Sequence, residues 1–258
     1  MNFFSCKISK TIAVFVGALA FSGCLSTDQQ KTSSPDFSSN PVIKTETTIA
    51  VLGATGLVGS YILDEALANG YKVRALARTP RKLERLKDQL TIVKGDATEL
   101  SAIDALLQGS DIVISAIGPV KTDGQAAKNI STITTAHIVK LMPKHQIKRY
   151  IAVSGGAVKI PTDKRNLFGW LIQKLAAIRY PDTLKDKQNE YRLLSESTVQ
   201  WTLVRCPLIS NKPFKTPAIA SLDSPTSFYL RAGELAQFVI EQISSKEFVR
   251  KGPFLESR

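Results

Sequence analysis

The sequence is poor in the residues that build cross-linked or metal-dependent folds. Only 3 cysteines and 2 histidines occur in 258 residues, so we expect neither a disulfide framework nor a metal centre. Acidic residues are also the minority, with 22 Asp and Glu against 34 Lys and Arg and a formal net charge of +12. The basic excess is spread along the chain without interleaved aromatic residues, so we expect no nucleic-acid partner.

Long hydrophobic runs are lacking too, and the apolar run near the amino terminus is short. Residues 11–23 are uncharged, but a helix needs about 20 apolar residues to cross a bilayer. The run follows Lys7 and Lys10 and ends in small residues before Cys24, as in a lipoprotein signal peptide. We therefore predict a signal peptide over 1–23 and lipidation of Cys24. An uncleaved signal anchor and a signal without lipidation remain the alternatives.

The next segment, 24–46, is rich in Ser, Thr, Asp, Gln, Lys and Pro and has no hydrophobic period. Such a segment buries too little apolar surface to fold, and we predict a flexible tether. The basic start of the signal places the rest of the chain on the non-cytoplasmic, periplasmic face. The partner is then the membrane, through the lipid anchor, and the non-acidic Leu25 favours the outer membrane in a Gram-negative cell. Cys206 has no disulfide partner in this scheme.

A strand, a glycine turn and a helix follow from Thr47 onward. The apolar run 47–53 breaks into three glycines spaced G-x-x-G-x-x-G, and helical periodicity then continues to Asn69. In this context the glycines let the chain turn, approach a pyrophosphate and pack the helix on the sheet. The predicted cofactor-binding residues of the turn are Gly53, Thr55, Gly56, Leu57, Val58 and Gly59.

The ends of the following strands supply further candidates for the cofactor site. Arg78 ends the second strand, where an acid would favour NAD and an arginine pairs with the 2′-phosphate of NADP. A basic helix start made of Arg78, Arg81 and Lys82 is the alternative interpretation. Asp96 and Ala97 end the third strand, and we expect the Asp96 carboxylate to accept from the adenine amino group. At the end of the fourth strand, the predicted contacts are Ala116, Ile117 and Gly118.

Strands and helices alternate along the whole region 47–258. This alternation predicts a single α/β domain with a doubly wound, parallel, Rossmann-type sheet. The last predicted helix covers about 183–197, and the strand at 201–205 closes the sheet. A variable insert is expected at about 158–182.

These blocks resemble the atypical short-chain dehydrogenase/reductase proteins, in their NAD(P)H-binding, NmrA-like branch with biliverdin IXβ/flavin reductase-like enzymes. The resemblance covers about 48–255 and rests on VLGATGLVG, ALARTPRKL, VKGDAT, VISAIGP, KRYIAVSGG, WTLVRCP and the tail from ELAQFVIEQ. It implies NADP(H) as cofactor and a small-molecule substrate at the carboxyl edge of the sheet. It also implies an alternative to an enzyme, namely a protein that binds a dinucleotide and reports the redox state of that dinucleotide without turnover.

The usual catalytic pair of that superfamily, Tyr-x-x-x-Lys, is absent. Lys187 matches the lysine, but Thr183 stands in place of the tyrosine, and Tyr180 is three residues out of register. The resemblance gives Lys187 a role in ribose binding and catalysis, and it gives Ser154, at the end of the fifth strand, a catalytic role. A solvated helix lysine and a structural strand-end hydroxyl are the respective alternatives.

The insert contains an apolar stretch at 167–178 with basic flanks. It is interpreted in three ways: a substrate lid, core or oligomer packing, or a helix on a membrane surface. Without the tyrosine, we expect an NADPH-dependent reductase of an easily reduced acceptor such as a flavin or quinone. A non-catalytic redox sensor or assembly protein remains the alternative function.

Overall fold

The structure is a computed structural model, and it describes residues 46–120, 124–125 and 128–258. The predicted signal peptide, Cys24 and the predicted tether up to residue 45 lie outside the described residues. Among the residues described, no helix has the length and apolar character needed to cross a membrane.

Ten strands and six α-helices make up the described domain. The strands are β1 Thr48–Leu52, β2 Lys72–Ala77, β3 Thr91–Lys94, β4 Ile112–Ser115, β5 Arg149–Gly155, β6 Gln200–Cys206, β7 Leu208–Ser210, β8 Ile219–Ser221, β9 Tyr229–Arg231 and β10 Phe254–Glu256. The helices are α1 Leu57–Ala68, α2 Leu100–Leu107, α3 Ile130–Leu141, α4 Leu167–Arg179, α5 Pro181–Glu196 and α6 Ala232–Glu241.

Eight strands form one sheet in the order β3-β2-β1-β4-β5-β6-β10-β8. Every neighbouring pair is parallel except β10 and β8. Helices α1 and α6 cover one face, and α2, α3 and α5 cover the other, each burying aliphatic side chains against the strands. Strand β1 is buried on both faces, as expected of a central strand in such a sheet. The predicted Rossmann-type α/β fold is therefore confirmed.

The strand order reverses between β1 and β4, so the chain leaves these two neighbours toward opposite sides of the sheet. A crevice opens at this point, beyond the carboxyl ends of the strands, and open α/β sheets bind their ligands there. The glycine turn after β1 and the end of β4 both face this crevice.

Two predictions about the end of the chain are wrong. Strand β6 does not close the sheet, because β10 and β8 extend it, and α5 is not the last helix, because α6 follows at Ala232–Glu241. The two added strands have three residues each, which is too short for an alternating pattern to show in the sequence.

The insert folds into α4, which ends before Pro181, the first residue of α5. The interpretation of α4 as core is wrong, since Gly169 is its only buried residue. The loop before α4 is tied to the sheet by a buried ion pair, in which Arg205 Nη2 of β6 lies 2.7 Å from Asp163 Oδ1. Because this pair fixes the start of the insert, it positions α4 above the carboxyl edge of the sheet.

Candidate functional site

The turn between β1 and α1 needs glycine for steric reasons. Gly53 has φ +74°, and a Cβ there would lie 2.6 Å from the carbonyl oxygen of Ala116. A Cβ on Gly59 would lie 2.0 Å from the carbonyl oxygen of Gly53. Helix α1 has no side-chain cap and no acidic residue in its first turn. Its amino terminus therefore offers free N–H groups to an anion such as a pyrophosphate.

A cleft of about 260 Å³ extends from this turn across the ends of β2, β3 and β4. Nine of the predicted cofactor residues line it: Gly53, Thr55, Gly56, Arg78, Asp96, Ala97, Ala116, Ile117 and Gly118. Leu57, Val58 and Gly59 do not line the cleft; Gly59 packs against the turn, and Val58 faces the neighbouring cavity. Lys82 also lines the cleft, although the sequence interpretation treated it only as part of a basic helix start.

Arg78 and Asp96 face each other at the adenosine end of the cleft. Arg78 Nη1 lies 3.8 Å from Asp96 Oδ2, while Asp96 Oδ1 accepts hydrogen bonds from the backbone N–H and hydroxyl of Thr98. Partial burial acts to raise the pKa of the Asp96 carboxyl, but the Thr98 hydrogen bonds and the Arg78 charge outweigh it and lower that pKa. Thr98 thus holds one carboxylate oxygen of Asp96. The predicted hydrogen bond from the adenine amino group to Asp96 stays a prediction.

A second, mainly apolar cavity of about 570 Å³ adjoins the cleft. The two share Ala116, Ile117 and Gly118 at the end of β4. The ends of β5 and β6 form the floor, and the inner side of α4 contributes Ile172 and Ala176. The polar side chains on its walls include Ser154, Thr183 and Arg179. A molecule in this cavity would lie next to the part of a dinucleotide bound at the end of β4.

Lys187 is buried under this junction. Its Nζ donates to the carbonyl oxygens of Ile117 at 2.9 Å and Val153 at 3.1 Å, and it lies 3.0 Å from Glu190 Oε2. These three acceptors match the three donors of an ammonium group. The lysine therefore holds the ends of β4 and β5 together. Ribose binding by Lys187 stays a prediction, and it would require Lys187 to release one of these acceptors.

The sequence interpretation missed Glu190, which is fully buried beside Lys187. Its carboxylate accepts from the hydroxyls of Ser154 and Thr135, each at 3.4 Å. Burial raises the pKa of the Glu190 carboxyl, and the Lys187 charge counteracts this only in part. The i, i+3 spacing of Lys187 and Glu190 was the available signal, because such residues are neighbours on a helix. Ser154, the other predicted catalytic residue, thus lines the cavity and donates a hydrogen bond to Glu190 of this ion pair.

Asp186 was missed as well, and it holds α5 against α3. Its carboxylate accepts from the backbone N–H groups of Ser131 and Thr132 at 2.9 and 2.8 Å and from the Thr132 hydroxyl at 2.6 Å. This contact caps α3 from a neighbouring helix and fixes the register of Lys187 below the cavity. Among the described residues, no cluster of His, Cys, Asp or Glu could hold a metal ion.

The family model described as NAD(P)H-binding matches residues 53–246 of the chain. Plant cinnamoyl-CoA reductases of Petunia hybrida and Arabidopsis thaliana are 28% identical over 119–120 residues, and these matches cover 43% of this chain. The chain spans only 35–36% of the length of those reductases. The photosystem II assembly factor Ycf39 of Synechocystis sp. is 22% identical over 215 residues, covering 79% of this chain and 60% of that protein.

Two solved structures share the fold. The anaerobillin reductase ChuY of Escherichia coli O157:H7 superposes with a TM-score of 0.67 and 18% identity, covering 81% of this chain and 97% of that one. A short-chain dehydrogenase/reductase of Veillonella parvula in complex with NADP also has a TM-score of 0.67 and 18% identity, covering 82% and 94%. The family match, together with the glycine turn and the cleft that it forms, shows that the chain belongs to the NAD(P)H-binding family.

Proposed function

We propose that the protein is an NADPH-dependent reductase of a small, apolar acceptor. The observation that carries this proposal is the junction at Ala116, Ile117 and Gly118, where the cofactor cleft adjoins the apolar cavity. When bound, the cofactor supplies a hydride from its nicotinamide ring. The chain's own part is to hold the dinucleotide along the cleft and to place an acceptor beside it in the cavity.

The preference for NADP(H) over NAD(H) rests on Arg78. Its guanidinium lines the cleft at the end of β2 and is half exposed, so it can turn toward a 2′-phosphate. Lys82 adds a second positive charge in the same cleft. The NADP complex of the Veillonella parvula relative supports this choice of cofactor.

Replacement of Arg78 by Ala is expected to remove the NADPH preference. A hydrogen bond to a charged group contributes about 1.5–3 kcal/mol, so NADPH affinity should fall about 10- to 150-fold while NADH affinity changes little. Calorimetric titration with both cofactors measures this difference. Arg81→Ala is the matched control, because Arg81 is exposed and does not line the cleft. Equal affinity of the unmodified protein for both cofactors would contradict the assignment.

Tyr180 lines the cavity, but it is half exposed and three residues out of register with the superfamily's tyrosine, so we propose that it is not the acid. Thr183 stands on the wall where the superfamily has tyrosine, and a threonine hydroxyl is a very weak acid. Proton transfer by a positioned group contributes about 10²–10⁴-fold, so acceptors that need it should react slowly. Flavins and quinones take up hydride readily and can gain a proton from water, and we propose them as the acceptor class.

NADPH oxidation with a panel of flavins, quinones and ketones, beside an NADPH binding titration, tests this function. We expect turnover with flavins or quinones and little with ketones, and we expect Tyr180→Phe to change either rate only slightly. Ser154→Ala should lower turnover without weakening NADPH binding. Efficient ketone reduction that is lost in Tyr180→Phe would instead identify Tyr180 as the acid.

The second candidate function is a non-catalytic NADP(H)-binding sensor or assembly protein. The observation that favours it is the engagement of Lys187, whose three donors are all used within the protein. The similarity to the assembly factor Ycf39 points the same way. Tight NADPH binding without oxidation by any acceptor in the panel would favour this function over the reductase.

We also propose that the protein is a lipoprotein on the non-cytoplasmic side of a membrane. The support is the basic, apolar and small-residue pattern that ends at Cys24. Intact-mass analysis of the protein purified from membranes should give a chain that starts at Cys24 and carries acyl groups. A mature chain with another first residue, or one without added acyl mass, would contradict the anchor.

A further inference from the structure

Helix α4 exposes an apolar stripe on the side that faces away from the cavity. Leu167, Trp170, Leu171 and Ile178 form this outer stripe, and their exposed fractions are 82%, 50%, 46% and 80%. Their spacing of i, i+3, i+4 and i+11 places them on one side of a helix. The outward side of a surface helix is normally polar. A contiguous exposed apolar patch of this kind marks an interaction surface.

The outer stripe is separate from the lining of the cavity. Ile172, Ala176 and Arg179 lie on the opposite side of α4 and face the cavity. The helix is therefore apolar on two sides. It packs on the domain through Phe168, whose ring lies against Phe228, while the residues of the stripe stay exposed. The outer stripe therefore has to be covered by something other than the domain itself.

The charges on and around α4 are suited to an anionic surface. The helix contains Lys174 and Arg179 but no acidic residue. Lys174 Nζ lies 5.5 Å from the Trp170 ring centroid, and the Arg179 guanidinium lies 4.9 Å from that of Tyr180. Lys174 comes seven residues after Leu167, which places it on the same side of α4 as the outer stripe. A basic side chain next to an aromatic one on such a side is typical of helices in the lipid headgroup region.

The nearby acidic side chains do not cancel this positive charge. Asp182 lies 3.6 Å from Lys128, Asp223 lies 3.9 Å from Lys164, and Asp163 is buried against Arg205. Each of these carboxylates thus has its own cation, so Lys174 sets the charge on the stripe side of α4, and Arg179 adds positive charge on the side of the cavity. A basic residue near an anionic leaflet strengthens binding to it.

We propose that α4 lies on the surface of an anionic lipid bilayer, with the outer stripe in the interface between headgroups and acyl chains. The sequence outside the described residues supports a bilayer as occupant, because it carries the apolar run 11–23 and the predicted lipidation site Cys24. The 23 residues between Cys24 and β1 can span at most about 75–80 Å when extended. A domain of this size has a diameter of roughly 45 Å. The tether is thus long enough to pass from the amino edge of the sheet to the level of α4.

Tryptophan fluorescence can test this contact in the full-length protein. The chain has 2 tryptophans; Trp170 is half exposed, and Trp201 is only 3% exposed. With vesicles of phosphatidylglycerol and brominated phosphatidylcholine, we expect the Trp170 emission to shift to the blue and to be mostly quenched. Trp170→Phe should leave only the emission of Trp201, and the vesicles should not change it. Because quenching reports on α4 itself, an anchor elsewhere in the chain cannot produce it.

A double variant, L167E/I178E, should abolish the quenching, since both side chains are at least 80% exposed and their replacement leaves the core intact. The control Q89E/T198E adds the same charge at exposed positions before β3 and β6, on the opposite edge of the sheet, and should be quenched like the unmodified protein. Full Trp170 emission from vesicle-bound protein, or no association with the vesicles, would overturn the proposal. A blue shift without vesicles that grows with protein concentration would overturn it in favour of a second copy of the chain. None of these results depends on cofactor turnover.

Discussion

Replacing Gly53 by Ala is expected to cost about 2–5 kcal/mol of folding free energy and to reduce NADPH affinity at least about tenfold. Two effects add at this position. The φ of +74° disfavours any residue with a Cβ by about 1–2 kcal/mol. The new Cβ would also lie 2.6 Å from the Ala116 carbonyl oxygen, so the end of β4 has to move, and with it the junction of cleft and cavity.

Gly109→Ala separates these two effects. Gly109 has nearly the same φ, +70°, but a Cβ there meets no atom within 4 Å. We expect this variant to lose only the conformational part, about 1–2 kcal/mol, and to bind NADPH normally. Urea unfolding and calorimetry measure both properties. Equal stability losses in the two variants would show that close packing at Gly53 does not matter.

Replacing Lys187 by Met is expected to destabilise the protein by about 3–5 kcal/mol, because it leaves the buried carboxylate of Glu190 without its cation. Burial already raises the pKa of Glu190, and loss of Lys187 raises it further. The folded variant then binds this proton more tightly than the unfolded chain does. Its stability is highest in acid, below the pKa of an unfolded glutamate, and declines as the pH rises through the folded pKa.

The double variant K187M/E190Q tests whether the buried charge is the cause. Glutamine keeps the shape of Glu190 without the charge, so most of the lost stability should return, and the pH dependence introduced by Lys187→Met should disappear. Urea unfolding across the acidic to neutral range gives both results. If the single and double variants are equally destabilised at every pH, the ion pair is not what holds the ends of β4 and β5.

The elements predicted best from the sequence are those whose pattern is local. Ser154 is predicted at the end of the fifth strand, and β5 ends one residue later, at Gly155. Its nearly continuous buried run is typical of a strand inside a parallel sheet. The glycine turn was predicted because turn, close approach and helix packing each require a residue without a Cβ. Nine of the twelve residues predicted for the turn and strand ends line the cleft, because the carboxyl ends of neighbouring parallel strands meet at one edge.

The parts that the sequence did not predict depend on contacts between distant segments. Strand β8 pairs with β10 over three residues, and neither has a periodic pattern of its own. The role of Asp186 requires the backbone of α3, more than 50 residues earlier. Helix α4 was ambiguous because it is apolar on two sides, and only the structure separates the side that lines the cavity from the side that is exposed.

The central claim is that the cofactor cleft and the apolar cavity act together, and filling the cavity while leaving the cleft unchanged tests it most directly. Ala176 lies on the inner side of α4, lines the cavity and is not part of the cleft, so Ala176→Phe should block the acceptor alone. The measurement is the rate of NADPH oxidation by a quinone or flavin, together with the NADPH dissociation constant, in the unmodified protein and in this variant. We predict that oxidation falls sharply in Ala176→Phe while the dissociation constant does not change. An unchanged rate in the variant, or no oxidation by the unmodified protein despite tight NADPH binding, would contradict the account.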